Sequence, residues 1–218
     1  MSNRPIWLFP AIATAVAIGL GAALLIASNG RESMGGDGRA APVRMSGEAQ
    51  IGGPFTLVNH LGETVTEADF LGRPMLIYFG FTYCPDICPT SLQVLAAALD
   101  RLPPDQRDQF QTLLISVDPE RDTPESLAQY VGSPAFPENL MGLTGSEEQV
   151  RAAARAYRVY FRRVEDDGTL ADYTVDHTSL IYLMGRDGQF VEVFPHGAAP
   201  DQIASRLQQF LEEDPAQS

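Results

Sequence analysis

The sequence predicts an α/β sandwich around a central mixed sheet, thioredoxin-like in arrangement. Three observations carry that expectation. Strand-like and helix-like segments alternate through the middle of the chain, then a strand hairpin and a helix close it. The runs at 75–81 and 111–117 are largely apolar, as strands covered on both faces are. A dithiol, Cys84 and Cys88, stands where the first of these runs passes into a helical pattern.

The elements follow in order. Residues 55–58 alternate well enough for a short strand, Asn59 to Glu63 read as a turn, and 64–66 as a second strand. This pair is an extra N-terminal β-hairpin ahead of the buried strand at 75–81. After the cysteines, Leu92, Leu95, Ala96 and Leu99 recur at helical spacing over 91–102, until Pro103 and Pro104 end the helix. A second buried strand covers 111–117. The charged loop 118–124 ends in Thr123 and Pro124, an N-cap followed by proline at the first helical position of a helix reaching about Val131. A short strand at 140–143 precedes a helix at 147–157, with Ser146 as its candidate cap. Residues 160–164 read as a strand, Asp166-Asp167-Gly168 as a turn and 178–184 as a buried strand. Gly185-Arg186-Asp187-Gly188 turns that strand back onto 189–194. Residues 199–212 close the domain as an amphipathic helix with Ile203, Leu207, Phe210 and Leu211 inward.

Ahead of this domain, residues 6–27 carry no charged side chain. As a helix they would span roughly 33 Å, enough to cross a bilayer core. A cleaved signal peptide is the rival reading. Its apolar region would be shorter, and Ala27-Ser28-Asn29-Gly30 is no clear cleavage site, so an uncleaved anchor is expected. Arg4 lies before the span and Arg31, Arg39 and Arg44 after it, so positive charge alone does not orient it. The few residues before the span and the large acidic domain after it favour an exported domain. Residues 29–50, rich in Gly, Ser, Ala and Arg, read as a flexible tether in which Met34 and Met45 are incidental.

The chain has 28 acidic residues against 15 basic ones, a formal charge of −13, and every basic residue is Arg. So acidic a domain lacks the cationic surface that nucleic-acid binding needs. In an exported compartment the two cysteines, the only ones in 218 residues, can oxidise.

Tyr83-Cys84-Pro85-Asp86-Ile87-Cys88-Pro89 holds both thiols. They can bind a soft metal, cycle as a redox couple or form a plain disulfide. The start of a helix, with its free N–H groups and positive dipole end, favours thiolate. Pro89 reads as the first helical residue. Three residues between the cysteines enlarge the loop and leave room for an ion. Two thiolates suit Cu(I), or Zn(II) with further ligands. A third donor is sought among His60, His177 and His196. His177 is favoured, because the loop entering the strand at 178–184 would face the dithiol. A thioredoxin oxidoreductase carries a proline there, and this chain has none between 138 and 194. His60 reads as a surface turn residue and His196 as a loop residue. Asp86 either tunes the metal's charge or contacts a partner, or closes an Asx-type turn.

Phe79-Gly80-Phe81-Thr82-Tyr83-Cys84-Pro85-Asp86-Ile87-Cys88-Pro89-Thr90, Val117-Asp118-Pro119-Glu120-Arg121-Asp122-Thr123-Pro124 and Asp172-Tyr173-Thr174-Val175-Asp176-His177-Thr178 resemble the Sco/SenC family of copper-binding assembly proteins. The resemblance covers about residues 48–213. It implies a thioredoxin-like domain at 51–213, an anchor at 1–28, a linker at 29–50 and a tail at 214–218. It implies copper bound by Cys84, Cys88 and His177, with Asp86 and Asp176 as candidates for contact with those ligands or with a partner. The implied task is maturation of the copper centre in subunit II of cytochrome c oxidase, with other copper chaperones or thioredoxin-like reductants as further partners. The implied place of the domain is the bacterial periplasm or, in mitochondria, the intermembrane space; the bacterial inner membrane, with the domain in the periplasm, is expected. Two classes of function fit: a metallochaperone, or a thiol-disulfide oxidoreductase in which Cys84 attacks and Cys88 resolves.

Overall fold

The computed structural model describes residues 51–165 and 173–213. The expected anchor, the tether, the turn at 166–168 and the tail lie outside them. Among the described residues no helix is long and apolar enough to cross a membrane.

The frame is a seven-stranded mixed sheet with helices packed on it. The strands are β1 (Thr56–Asn59), β2 (Thr64–Thr66), β3 (Met75–Gly80), β4 (Gln111–Ser116), β5 (Leu140–Thr144), β8 (Leu180–Met184) and β9 (Phe190–Pro195), in the order β2-β1-β5-β4-β3-β8-β9. β3, β4 and β5 run parallel, while β8 pairs antiparallel with β3, and β9 with β8. The N-terminal hairpin joins the far side through an antiparallel β1–β5 pairing. Every residue of β3 is buried, and all of β4 beyond Gln111, which is why both read as apolar runs. Phe79, Tyr157 and Tyr182 meet in tilted and edge-to-face pairs at the centre of the core.

The helices are α1 (Ile87–Leu99), α2 (Pro104–Arg107), α3 (Pro124–Val131), α4 (Glu147–Ala156) and α5 (Pro200–Glu213). α1 and α5 pack together, α3 lies against β5 and α4 against β1. Both expected caps are present. Thr123 Oγ1 accepts from Ser126 N, and Ser146 forms a reciprocal capping box with Gln149. The inward face expected for α5 is buried as Ile203, Leu207, Phe210 and Leu211. α4 ends in a Schellman turn: Val159 N donates to Ala154 O and Arg158 N to Arg155 O, with Arg158 in the left-handed region at φ 57°.

Three expectations are corrected. α1 starts at Ile87, not after Cys88, so Cys88 and Pro89 are its second and third residues. Proline is tolerated there because first-turn N–H groups have no intrahelical partner. The same helix stops at Leu99, and the two prolines then start the separate short helix α2. Finally, His177 is not in a loop. It is the last residue of β7 (Tyr173–His177), paired antiparallel with β6 (Phe161–Glu165) in a separate two-stranded ladder. Only Thr178 and Ser179 separate it from β8.

Candidate metal centre

β3 delivers the cysteines. Its last residue, Gly80, lies so close to them that an added Cβ would stand 3.0 Å from Cys88 Sγ and 2.7 Å from the Tyr78 ring. The chain then turns, with Cys84 N donating to Phe81 O, and enters α1. Asp122, fully buried after β4, holds the start of this turn. Its carboxylate accepts from Thr82 N, from Thr82 Oγ1 at 2.6 Å and from Ser116 Oγ at 2.6 Å. Burial pushes its pKa up.

β7 delivers the third donor. The His177 ring stands edge-on to Tyr78 and Phe81, with centroids 6.1 and 5.8 Å away. Its Nδ1 lies 3.2 Å from the carbonyl of Thr178, which can only accept, so Nδ1–H donates there and Nε2 is the ring nitrogen that faces the sulfurs. Nε2 lies 3.4 Å from Cys88 Sγ.

One ligand atom from each of Cys84, Cys88 and His177 falls within 4.8 Å of the other two. Bonds of about 2.0–2.3 Å would put trigonal donors roughly 3.7 Å apart, so these three can close on one ion with small movements. Two sulfurs and an imidazole form a soft donor set. The residues therefore fit a soft metal ion, and both thiols are free.

The two thiols are not equivalent. Cys88 is fully buried and Cys84 partly so. The hydrogen bond from the Cys88 side chain pulls the Cys84 pKa well below the ordinary thiol range, against the opposing effect of burial. His177 and the backbone N–H groups of Cys88 and Asp86 add to the lowering, and Cys88 N lies 3.3 Å from Cys84 Sγ. Cys88 is pushed up by its interaction with Cys84, by burial and by the charge of Cys84. Cys84 is thus the thiolate and Cys88 the thiol of the reduced, metal-free pair.

The other candidates stand outside the cluster. His196 Nδ1 lies 3.1 Å from Ser91 Oγ. His60 is half-buried, and its Nδ1 accepts from Gly142 N, so it joins the hairpin turn to β5. Asp86 occupies the N-cap position of α1, makes no cap hydrogen bond to the backbone, and accepts from Thr90 Oγ1. Asp176 is exposed and pairs with Arg162, on the opposite face of β7 from its neighbour His177. Asp122, Tyr78 and Arg121 were not singled out from the sequence. The cluster of charge at 118–122, beside the end of a buried strand, is the signal that could have found two of them. Tyr78 is hidden in an apolar run, and its hydroxyl lies buried beside the side chains of Ser91, Ser179 and Cys88.

The SCO1/SenC family model matches residues 43–212. The chain is 43% identical over 173 residues to the human mitochondrial SCO1 homologue, covering 75% of this chain and 54% of that protein. It is 41% identical over 169 residues to SenC of Rhodobacter capsulatus, covering 77% and 73%. It is similar in structure to Bradyrhizobium japonicum ScoI with copper bound, at 42% identity and a TM-score of 0.66, covering 73% of this chain and 99% of that one. The chain spans about half the length of the human relative.

Proposed function

The chain belongs to the SCO1/SenC family, and from that premise we propose that it is a copper metallochaperone for cytochrome c oxidase. Copper is its cargo, held by Cys84 Sγ, Cys88 Sγ and His177 Nε2 and destined for the copper centre of subunit II. The observation that carries this reading is the convergence of those three donors, with Nε2 turned to the sulfurs. Membership of the family and the copper-bound likeness of ScoI support the choice of ion. Client thiols can approach from the side of the partly buried Cys84 and enter the coordination shell before the chaperone's own ligands leave.

The proposal extends to the whole chain: residues 1–28 anchor it in the bacterial inner membrane, 29–50 tether it, and 51–213 carry copper in the periplasm. The uncharged run at 6–27 supports this.

The asymmetry of the thiols favours a second activity on the same residues. The Cys84 thiolate attacks a client disulfide, forms a mixed disulfide and expels one client thiolate. Cys88 then attacks the Cys84 sulfur, releases the second client thiolate and leaves the Cys84–Cys88 pair oxidised. This would hold the client's copper-binding cysteines reduced.

Anaerobic Cu(I) titration of the reduced full chain, beside Cys84→Ser, Cys88→Ser and His177→Ala, tests the first reading. The wild type is expected to bind one tight equivalent and each variant to bind at least about tenfold more weakly, the His177 variant keeping two titratable thiols. Unchanged binding by either cysteine variant would leave the thiol-disulfide activity alone standing.

A further inference from the structure

We propose that Arg121 is a positioning residue for this centre: it clasps the cysteine turn to the strand that presents His177. The inference rests on the three-donor reading above and names what holds the third donor in place.

The need for a clasp follows from the topology. Both cysteines hang from β3 and α1, within the seven-stranded frame. His177 ends β7, whose ladder partner is β6, and no ladder among the described residues joins that pair to the frame. The approach of His177 to the sulfurs is therefore set by its two-residue link to β8 and by side chains. At the His177 end these are the rings of Tyr78 and Phe81. At the Tyr173 end, about 13 Å back along the strand, it is Arg121.

The Arg121 guanidinium touches both halves. Toward β7, one terminal NH2 group donates to Tyr173 O at 3.0 Å, and its carbon lies 3.7 Å from the Tyr173 ring centroid. Toward the cysteines, the same carbon lies 4.7 Å from the ring of Tyr83, the residue before Cys84, and 5.9 Å from that of Phe81. Its Nε donates to Asp118 Oδ2, while Tyr173 Oη donates to the other oxygen of that carboxylate at 2.8 Å. The pair is well sheltered, with side-chain exposures of 15% for Arg121 and 4% for Asp118. Arg163 lies 3.6 Å from the Tyr173 centroid, so it must take the opposite face of the ring, and it pairs with Glu120. A planar cation that forks between a carboxylate and a carbonyl while stacking on rings is a task for arginine, which lysine cannot copy.

A plain buried ion pair with Asp118 would predict the same contacts at Nε. The two roles separate by whether Arg121 acts through His177. Arg121→Lys keeps the charge beside Asp118 and loses the fork and the stacking. In the full chain, by anaerobic competition with bicinchoninate for Cu(I), Arg121→Lys is expected to lower affinity about ten- to hundredfold. In a His177→Ala background the same change is expected to matter by less than about threefold. In the metal-free protein, amide exchange on β7 should quicken about tenfold in Arg121→Lys while that on α1 stays as in the wild type. Tyr83→Ala, at an exposed position, gives a second variant that folding does not constrain. It should weaken Cu(I) binding with the same dependence on His177.

Wild-type affinity in Arg121→Lys and Tyr83→Ala would overturn the clasp and leave the three-donor reading intact. An equal loss with and without His177 would overturn it too, by making Arg121 a support of the fold in general. Equal Cu(I) binding by wild type and His177→Ala would instead remove the three-donor reading, and the clasp with it.

Discussion

Cys84 and Cys88 share one turn of chain, but the hydrogen bond between their side chains separates their chemistry. The Cys88 side chain donates to Cys84, with the Cys88 N–H adding to it, so the Cys84 pKa falls against the effect of its partial burial; the same bond, with full burial, raises that of Cys88. For Cys84 the folded-state value lies below the ordinary one of about 8.5. The thiolate's contribution to stability is thus fully present above about pH 8.5 and is lost as pH falls through the lowered value. The same sign governs reactivity. In the reduced, metal-free protein, alkylation of Cys84 by iodoacetamide at pH 6 should run close to its rate at pH 8. A thiol of ordinary pKa would lose about tenfold per pH unit over that range, and that slope would refute the assignment. Cys88→Ala, which removes the largest cause of the lowering, should move the profile back toward the ordinary one.

At the scale of elements, the cysteine side of the site was legible and the histidine side less so. A continuous apolar run ending in two thiols and a helical period declares a strand, a turn and a helix. Thr123 and Ser146 declared their helices because a hydroxyl ahead of a helical period has a specific bond to make. β7 was missed although Tyr173 and Val175 are both buried at the period of a strand. Five residues give that period few repeats, and His177 breaks its apolar side. The link between the turn after β3 and the loop after β4 was also unreadable, because it is a side-chain bond over 40 residues of chain: Asp122 to Thr82. Truncating this carboxylate leaves the part-buried N–H and hydroxyl of Thr82 and the buried hydroxyl of Ser116 without their acceptor. Asp122→Ala should therefore cost about 2–4 kcal/mol in urea unfolding of the reduced protein. A loss under about 1 kcal/mol would mean that the turn is held by something else.

At the scale of the molecule, alternation of strands and helices predicted the layered α/β architecture but, beyond the two hairpins, not which strands are neighbours. Strand order depends on long-range pairing, such as β1 beside β5, that no local pattern encodes. The ladder of β6 and β7 stands apart for the same reason, and so the proposed metal centre would join two pieces of the fold that the sheet leaves unjoined. Cu(I) bound by donors from both pieces must stabilise both, since a ligand that binds only the folded form adds RT ln(1 + [L]/Kd), about 2.7 kcal/mol at a free concentration of 100 Kd. Under those conditions copper should slow amide exchange on β7 as well as on α1. In His177→Ala the bond to β7 is gone, so copper should protect α1 while β7 exchanges as in the metal-free protein. Protection of β7 in that variant equal to the wild type would show that copper reaches the strand without its histidine, and that the two pieces are coupled through the frame itself.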